Sequence, residues 1–261
     1  MEKYITVSGA NGIATITINR ADKRNAIGYC GWLELRSIVS NLSEDEHCKV
    51  VIFTGAGDQA FSAGADINDF GLYRNNKANA KTYAAAFEGA LDAIESLTQP
   101  TICLIKGYCI GGGCELTMAT DLRIAADNSH FGIPAAKLSV LIGFKEMRRL
   151  VNLVGQGNAS YVLLSARQIP VTEAEQMGLV NKILPLAEID EYTYSLAREI
   201  AALAPLSHRG HKKLLQTVLS ANLSHLSEAD EDLIFSNFSS EDFQEGRTAF
   251  TEHRPPQFKG R

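Results

Sequence analysis

A unit of buried strand, glycine-containing bend and helix occurs three times along the chain, and this repetition restricts the fold more than any other feature. The three strands are predicted at residues 50–54, 101–105 and 122–126, which are apolar over most of their length. Continuous apolar runs of this length are typical of strands that are buried on both faces of a sheet. A repeated strand–bend–helix unit therefore predicts a layered α/β fold.

The second unit contains three consecutive glycines, Gly111, Gly112 and Gly113, directly before a helix predicted at about 114–120. Glycine lets the backbone approach another group closely, and N–H groups at a helix start have no partner within the helix. Such groups bind anions and, in a closed pocket, can form an oxyanion hole. Glu115 lies beside them on an otherwise apolar helix, which favours a catalytic role for its carboxylate. The alternative is a structural role, in which the glycines allow tight packing and Glu115 stabilises the positive end of the helix.

Composition narrows the class of protein. The chain has 261 residues, of which 45% are apolar and 21% charged, enough for one large globular domain or one domain with an appendage. A net charge of −5 argues against nucleic acid or an anionic membrane as the main partner. The five cysteines lack CxxC spacing, and no apolar run reaches the ~18 residues of a membrane span. We therefore expect a cytoplasmic protein with reduced, mostly buried cysteines and no metal cluster.

Several other segments have predictable roles. Asn11-Gly12 between alternating apolar residues predicts an N-terminal hairpin. Lys23 and Arg24 lie in a polar loop that is either a solvated turn or a phosphate contact. Residues 71–81 are polar and are interpreted as a mobile segment or lid. A short strand is predicted at 180–184, and helices at 27–42, 83–97, 143–154, 158–165, 172–177, 189–202, 206–220, 227–235 and 239–250.

Six segments in sequence order resemble the enoyl-CoA hydratase/isomerase (crotonase) superfamily: NRADKRNA, AFSAGADI, GYCIGGGCELTMATDLRIAAD, FGIPAAKLSV, AEQMGLV and FTEHRPPQFKG. The resemblance implies a crotonase-like spiral of ββα units with a coenzyme A thioester site over residues 1–190. It also implies a C-terminal helical trimerisation region over 191–261, in a homotrimer or a dimer of trimers. The substrate is expected to be an acyl-CoA thioester; coenzyme A belongs to that substrate, and no other cofactor or metal is implied.

The resemblance also assigns roles to residues. The backbone N–H groups of Ala65 and Gly112 are expected to hold the thioester oxygen while an enolate forms. Glu115 matches the first of the two glutamates that hydratases of the family use as acid and base. The positions that match contacts to coenzyme A or to the rest of the substrate are Lys23, Arg24, Ala26, Ala63, Asp66, Ile67, Gly111, Phe250 and His253.

The sequence departs from the family pattern at the second glutamate, which lies twenty positions after the first. Ala135 occupies that position, and Lys145-Glu146 replaces a glycine pair that is usual near the entry of the next helix. Glu115 is therefore expected to act as the single glutamate acid/base, which suits double-bond isomerisation, decarboxylation, retro-aldol cleavage or slow hydration.

Two alternatives remain open at the level of sequence. Another carboxylate can replace the missing one, with Glu146, Asp69 and Glu88 as candidates, each of which can instead be a surface or helix-capping charge. The chain can also be a non-catalytic homologue that only binds coenzyme A. Glu115 on an apolar helix argues against this last hypothesis, because a binding protein has no need of a buried carboxylate.

Overall fold

The computed structural model describes residues 4–138, 140–220 and 240–261. Its strands form two sheets, and most of the predicted strands are found within one residue of their expected ends. The strands are β1 (Ile5–Ala10), β2 (Ile13–Ile18), β3 (Val50–Gly55), β4 (Ala60–Ser62), β5 (Thr101–Ile105), β6 (Tyr108–Ile110), β7 (Leu122–Ala126), β8 (His130–Gly132), β9 (Ile169–Pro170) and β10 (Lys182–Leu184).

The larger sheet has the order β1-β2-β3-β5-β7-β10, and the smaller one has the order β4-β6-β8-β9. Only the hairpin β1–β2 is antiparallel in the larger sheet, and it turns at Asn11-Gly12 as predicted. Each repeated unit gives one strand to each sheet: β3 and β4, β5 and β6, then β7 and β8. The spiral of ββα units is therefore confirmed. The three-residue second strands were not predicted from the residues themselves.

The helices are α1 (Tyr29–Ser43), α2 (Phe70–Tyr73), α3 (Lys77–Ser96), α4 (Gly112–Thr117), α5 (Phe144–Ser165), α6 (Val171–Gln176), α7 (Ile189–Ala201), α8 (Pro205–Ser220) and α9 (Glu241–Glu252). Residues 71–81, interpreted as a mobile segment or lid, include the end of α2 and the start of α3. The role as a lid stays a prediction. Asn76 accepts a hydrogen bond from the N–H of Asn79 and so caps α3 before its apolar stripe begins. The helix predicted at 227–235 lies outside the described residues.

Both faces of the larger sheet are buried, as the apolar strands predict. On one face, Val51 and Phe53 pack with α1 and α3. On the other face, Ile52 and Leu104 pack against α7. The predicted boundary at residue 190 falls inside α7, which is part of the packed layer. The assignment of 191–261 to oligomerisation stays a prediction.

The cysteines are mostly buried, as their apolar surroundings in the sequence predict. All five cysteines are free, and four of them are buried. Within the ranges that the structure covers, no helix is both long and apolar enough to cross a bilayer. Across those same ranges, no group of three or more His, Cys, Asp or Glu side chains is arranged to hold a metal ion. The cytoplasmic location stays a prediction.

Candidate active site

Two backbone bends meet where the first and second repeated units come together. Gly64 has a φ of +89°, which side chains other than glycine rarely adopt. A Cβ atom on Gly64 would lie 2.6 Å from the carbonyl oxygen of Ile110 and 2.9 Å from the nitrogen of Gly112. A Cβ atom on Gly112 would lie 3.7 Å from the nitrogen of Ala65. The structure therefore brings the amides of Ala65 and Gly112 side by side.

The N–H groups around these two amides are occupied. Gly64 and Asp66, on either side of Ala65, donate to Ser62 and to the carbonyl of Ile27. Gly111, with a φ of +53°, precedes α4 and donates to the carbonyl of Gly132. Among the residues placed in the structure, no acceptor receives the N–H of Ala65 or of Gly112. The adjacent N–H groups of Ala65 and Gly112 therefore have no acceptor within the described residues and can donate to a ligand.

These donors open into a cavity of about 560 Å³ that Ala65, Gly112 and Glu115 line together. Its volume is in the range of small-molecule sites, which are typically lined by apolar side chains with a few polar groups. Apolar residues on the bend after β8 and before α5 contribute much of the wall: Ile133, Pro134, Leu138, Val140, Leu141 and Ile142. The arrangement is a mostly apolar chamber with two backbone donors at its inner wall.

Glu115 lies in the first turn of α4 and is only 7% exposed. No side chain or backbone group in the described ranges donates a hydrogen bond to its carboxylate. Burial and, secondarily, the charge of Glu146 raise the pKa of Glu115 to about 8, although Arg74 and Arg149 act in the opposite direction. A carboxyl with this pKa is available as either acid or base near neutral pH.

Two of the three candidate second carboxylates, Glu146 and Glu88, line the same cavity as Glu115. Glu146 has no exposed surface, and burial raises its pKa above the ordinary value. Both carboxylates approach Gly143, where an added Cβ would overlap Glu146 Oε2 and lie 3.1 Å from Glu88 Oε1. Ala135 also lines the cavity. The cavity therefore lacks a carboxylate at position 135 but contains two others, those of Glu146 and Glu88.

Glu146 is held by a charged network behind the cavity wall. Its Oε1 accepts from Arg149 Nη1 at 3.3 Å. The Arg149 guanidinium is 3% exposed and also contacts Asp92 at 2.7 Å and Glu95 at 2.6 Å. Three fixed contacts leave the guanidinium little freedom, so α5 is tied to α3 at this point.

Asp69 is not a cavity residue, and its candidacy as a second acid/base is corrected by the structure. Its carboxylate accepts a hydrogen bond from the N–H of Tyr29, the first residue of α1, and lies against Gly28. Because the first N–H groups of a helix have no partner within the helix, Asp69 caps α1 from a distant part of the chain.

Replacing Asp69 with alanine is expected to destabilise the fold by about 1 kcal/mol, since helix capping groups contribute this much. Asparagine retains an acceptor oxygen at the same position, so Asp69→Asn should lose less. Urea denaturation of both variants measures the difference. Equal stabilities for the wild type and Asp69→Ala would contradict the capping role.

The residues expected to contact coenzyme A fall into three groups. Ala63, Ile67 and Gly111 line the cavity. Lys23 and Arg24 are exposed, and the carbonyl of Arg24 accepts from the N–H of Ala63 at 2.8 Å, so their loop adjoins the cavity bend. Ala26 lies on the same loop, and its carbonyl accepts a hydrogen bond from Arg20. Arg20 also forms a 2.8 Å ion pair with Asp66, so it connects this loop to the bend that contains Asp66.

Of the two C-terminal candidates, only His253 has a described side chain. His253 follows α9, is exposed and does not line the cavity. Phe250 lies within α9, and its side chain is outside the described part of the structure. Their role in lining the site stays a prediction.

Sequence reasoning missed one cavity residue of consequence. Arg74 lines the cavity, and its guanidinium carbon lies 3.9 Å from the centre of the Tyr83 ring. Its positive charge partly offsets the rise in the pKa of Glu115 that burial causes. Tyr83 is in turn fixed by a 2.9 Å hydrogen bond from Trp32 Nε1. Nothing in the polar run around residue 74 distinguishes this arginine from a solvated side chain.

The raised pKa of Glu115 has a consequence for stability. Because the folded state binds the proton more tightly than the unfolded chain, the stabilising contribution is complete below the ordinary pKa of 4.5 and is lost as the pH rises through about 8. The limiting loss is about 5 kcal/mol. Glu115→Gln should therefore unfold with nearly the wild-type free energy at pH 5 but be clearly more stable at pH 9, as measured by denaturant titration. Parallel pH profiles for the two proteins would contradict the shift.

The fold and this cavity define the class of protein. A model of the enoyl-CoA hydratase/isomerase family matches residues 8–261. The chain is 34% identical to a crotonyl-CoA hydratase of Syntrophomonas wolfei over 247 residues, 94% of each chain, and 31% identical to a short-chain-enoyl-CoA hydratase of Clostridium acetobutylicum over 250 residues, 95% of each. The chain belongs to the enoyl-CoA hydratase/isomerase family.

Solved structures agree with this assignment. An enoyl-CoA hydratase/carnithine racemase from Magnetospirillum magneticum has a TM-score of 0.96 at 34% identity, with 100% of this chain and 97% of that chain covered. An enoyl-CoA hydratase from Bacillus anthracis has a TM-score of 0.91 at 30% identity, with 99% and 100% covered. The similarity extends over the whole chain rather than over the cavity units alone.

Proposed function

We propose that the protein is an acyl-CoA-processing enzyme of the enoyl-CoA hydratase/isomerase type. The thioester carbonyl of the substrate binds at the amides of Ala65 and Gly112, and Glu115 transfers the proton at the α-carbon of the substrate. The observation that carries the proposal is a pair of adjacent N–H groups, without an acceptor among the described residues, that open into a cavity containing a buried carboxylate. Names of the relatives support acyl-CoA substrates.

The two amides supply what the chemistry requires. Removal of a proton from the α-carbon, or addition of a nucleophile to the β-carbon, places negative charge on the thioester oxygen. Donors that are already oriented toward that oxygen stabilise the developing charge, and one such donor contributes about 2.7–4 kcal/mol. Because the donors belong to two rigid bends, they need no rearrangement when the charge forms.

Coenzyme A is proposed to lie along the bend at residues 63–67 and the loop before α1. Lys23 and Arg24 are exposed cations on that loop, and in the covered ranges neither forms an ion pair. Cations of this kind bind phosphates, with arginine able to make two parallel hydrogen bonds. Asp66 contributes by holding the bend in place, because its carboxylate accepts from Arg20 and Asn68 and its N–H donates to the carbonyl of Ile27.

The competing hypotheses differ in what Glu115 does. As the only acid/base, it would suit an isomerase, a decarboxylase or a lyase that cleaves a C–C bond. A non-catalytic coenzyme A binder is disfavoured, because an unpaired buried carboxylate costs stability without aiding binding. Assembly into a homotrimer or a dimer of trimers is part of the proposal, and α8 carries exposed apolar side chains that such contacts would cover: Leu215, Val218 and Leu219.

A panel of enoyl-CoA and β-ketoacyl-CoA thioesters, analysed by mass spectrometry and absorbance, tests this function. Gain of the mass of one water molecule indicates hydration, unchanged mass with altered absorbance indicates isomerisation, and loss of mass indicates cleavage or decarboxylation. Any of these outcomes supports the proposal. Tight binding without conversion of any thioester would contradict it and favour the non-catalytic homologue.

A further inference from the structure

We infer that Glu146, on a different element from the family's second glutamate, is the second catalytic carboxylate and activates water for addition to an enoyl-CoA. The inference rests on the proposed function, because it needs the thioester bound at the two amides with Glu115 at the α-carbon. It replaces the expectation of a single glutamate with a pair contributed by α4 and α5.

The geometry of Glu146 is unusual for a structural carboxylate. It has no exposed surface, yet it lines the same cavity as Glu115 and Ala135. One oxygen contacts Arg149, while Oε2 has no hydrogen-bond partner in the described part of the chain. A buried polar atom without a partner is costly, so its retention in the cavity indicates a ligand such as water or a substrate.

Gly143 makes room for this arrangement. A Cβ at that position would overlap Oε2 of Glu146, so the backbone before α5 lies directly against the carboxylate. Gly143 directly precedes α5, and Glu146 lies in the first turn of that helix. Ala135 lines the same cavity with only a methyl group, so no carboxylate is present at the position of the family's second glutamate.

The surrounding charges indicate which carboxylate keeps the proton. Burial raises the pKa of both Glu115 and Glu146, and mutual repulsion raises that of Glu115 further. The direct contact with Arg149 favours the ionised form of Glu146, whereas Glu88 and Asp92 from α3 oppose it. Among the described residues, no arginine makes such a contact with Glu115. We therefore assign the single shared proton to Glu115 and the negative charge to Glu146.

This protonation state matches the needs of hydration. Glu146 accepts a proton from water as the water oxygen forms a bond to the β-carbon. The C=C electron pair becomes the bond between the α-carbon and the carbonyl carbon, and the carbonyl electron pair moves onto the thioester oxygen, which the amides of Ala65 and Gly112 stabilise. The enolate then takes the Glu115 proton at its α-carbon. Transfer of the proton from Glu146 to Glu115 restores the starting state, and the net change is addition of one water molecule.

Glu88 is the closest competitor for this role. It also lines the cavity and approaches Gly143, but it is half-buried and has no arginine contact in the described ranges. A carboxylate with access to solvent holds water less rigidly than one enclosed by the protein. The test must therefore compare both positions.

The experiment measures two reactions in the full-length protein: hydration of crotonyl-CoA and deuterium incorporation at the α-carbon of butyryl-CoA in D₂O. Glu146→Gln is expected to lower the hydration rate at least 10²-fold, in the range of general-base contributions. Exchange at the α-carbon, which needs only Glu115 and the two amides, should stay within a few-fold of wild type. A merely structural role for Glu146 would lower both reactions together.

Two further variants complete the design. Glu95→Gln removes another partner of Arg149 without touching the cavity lining, so it should preserve hydration while lowering stability. Glu88→Gln is expected to retain more hydration than Glu146→Gln. The assignment would be overturned by unchanged hydration in Glu146→Gln, by a larger loss in Glu88→Gln, or by a wild-type protein that exchanges α-protons but does not hydrate. This last result would leave the proposed function intact.

Discussion

Substituting Glu115 with glutamine should abolish most turnover, with an expected loss of about 10²–10⁴-fold in kcat on whichever thioester the enzyme converts. General acid–base groups contribute this much when they transfer a proton in the transition state. Glutamine has nearly the same shape and removes the charge, so the cavity should keep its form. Steady-state kinetics measure the loss, and titration of the thioester should show nearly unchanged affinity.

Glu173→Gln provides the matched control. Glu173 lies in the first turn of α6, a helix of the same length as α4, but it does not line the cavity. Its substitution removes a glutamate charge from an equivalent helical position. Near-normal rates for both variants would show that Glu115 is not the proton carrier, whereas a loss confined to Glu115→Gln supports the assignment.

Replacing Gly64 with alanine is the second change expected to have a large effect. The added Cβ would lie 2.9 Å from the Gly112 nitrogen and 2.6 Å from the Ile110 oxygen, which forces the two bends apart. Loss of one oriented donor lowers kcat by about 10²–10³-fold. Kinetics should show the fall mainly in kcat, because the ground-state carbonyl depends less on the donors than the enolate does.

Gly57→Ala separates this effect from backbone strain. Gly57 has a φ of +73°, similar to that of Gly64, but a Cβ there would meet nothing within 4 Å. Both variants should lose about 1–2 kcal/mol of stability from the left-handed backbone. Gly64→Ala should lose more because of its backbone overlap, and only Gly64→Ala should lose catalysis. A comparable fall in kcat for both would mean that strain, and not donor geometry, explains the result.

Much of the fold was accessible from sequence because its main strands carry long apolar runs. The larger sheet and the Asn11-Gly12 hairpin follow from local patterns that strand burial and turn chemistry impose. The smaller sheet was missed because Tyr108–Ile110 and its counterparts are only three residues long. A segment so short has no periodicity, and its pairing is determined by neighbouring units rather than by its own residues.

The candidate site was predictable to a different extent at each residue. Gly112 and Glu115 follow from glycines at a helix start beside an isolated carboxylate. Glu146 remained one candidate of three, because its burial depends on the approach of α5 to α3 through Arg149. Nothing in the sequence separated Asp69 from Glu146 as a candidate. In the structure, however, Asp69 accepts a hydrogen bond at the N-terminus of α1, far away in the chain. Contacts between elements far apart in the chain decide such cases.

Deuterium exchange at the α-carbon of butyryl-CoA tests the central claim most directly, since a saturated thioester can form the enolate but cannot be hydrated. The wild type should incorporate deuterium well above the rate in buffer, and the rate should rise with pH through about 8 as Glu115 ionises, then level off. Glu115→Gln and Gly64→Ala should each reduce it severely. A wild-type protein that binds the thioester yet exchanges no α-proton, or a Glu115→Gln variant that exchanges as fast as wild type, would contradict the account.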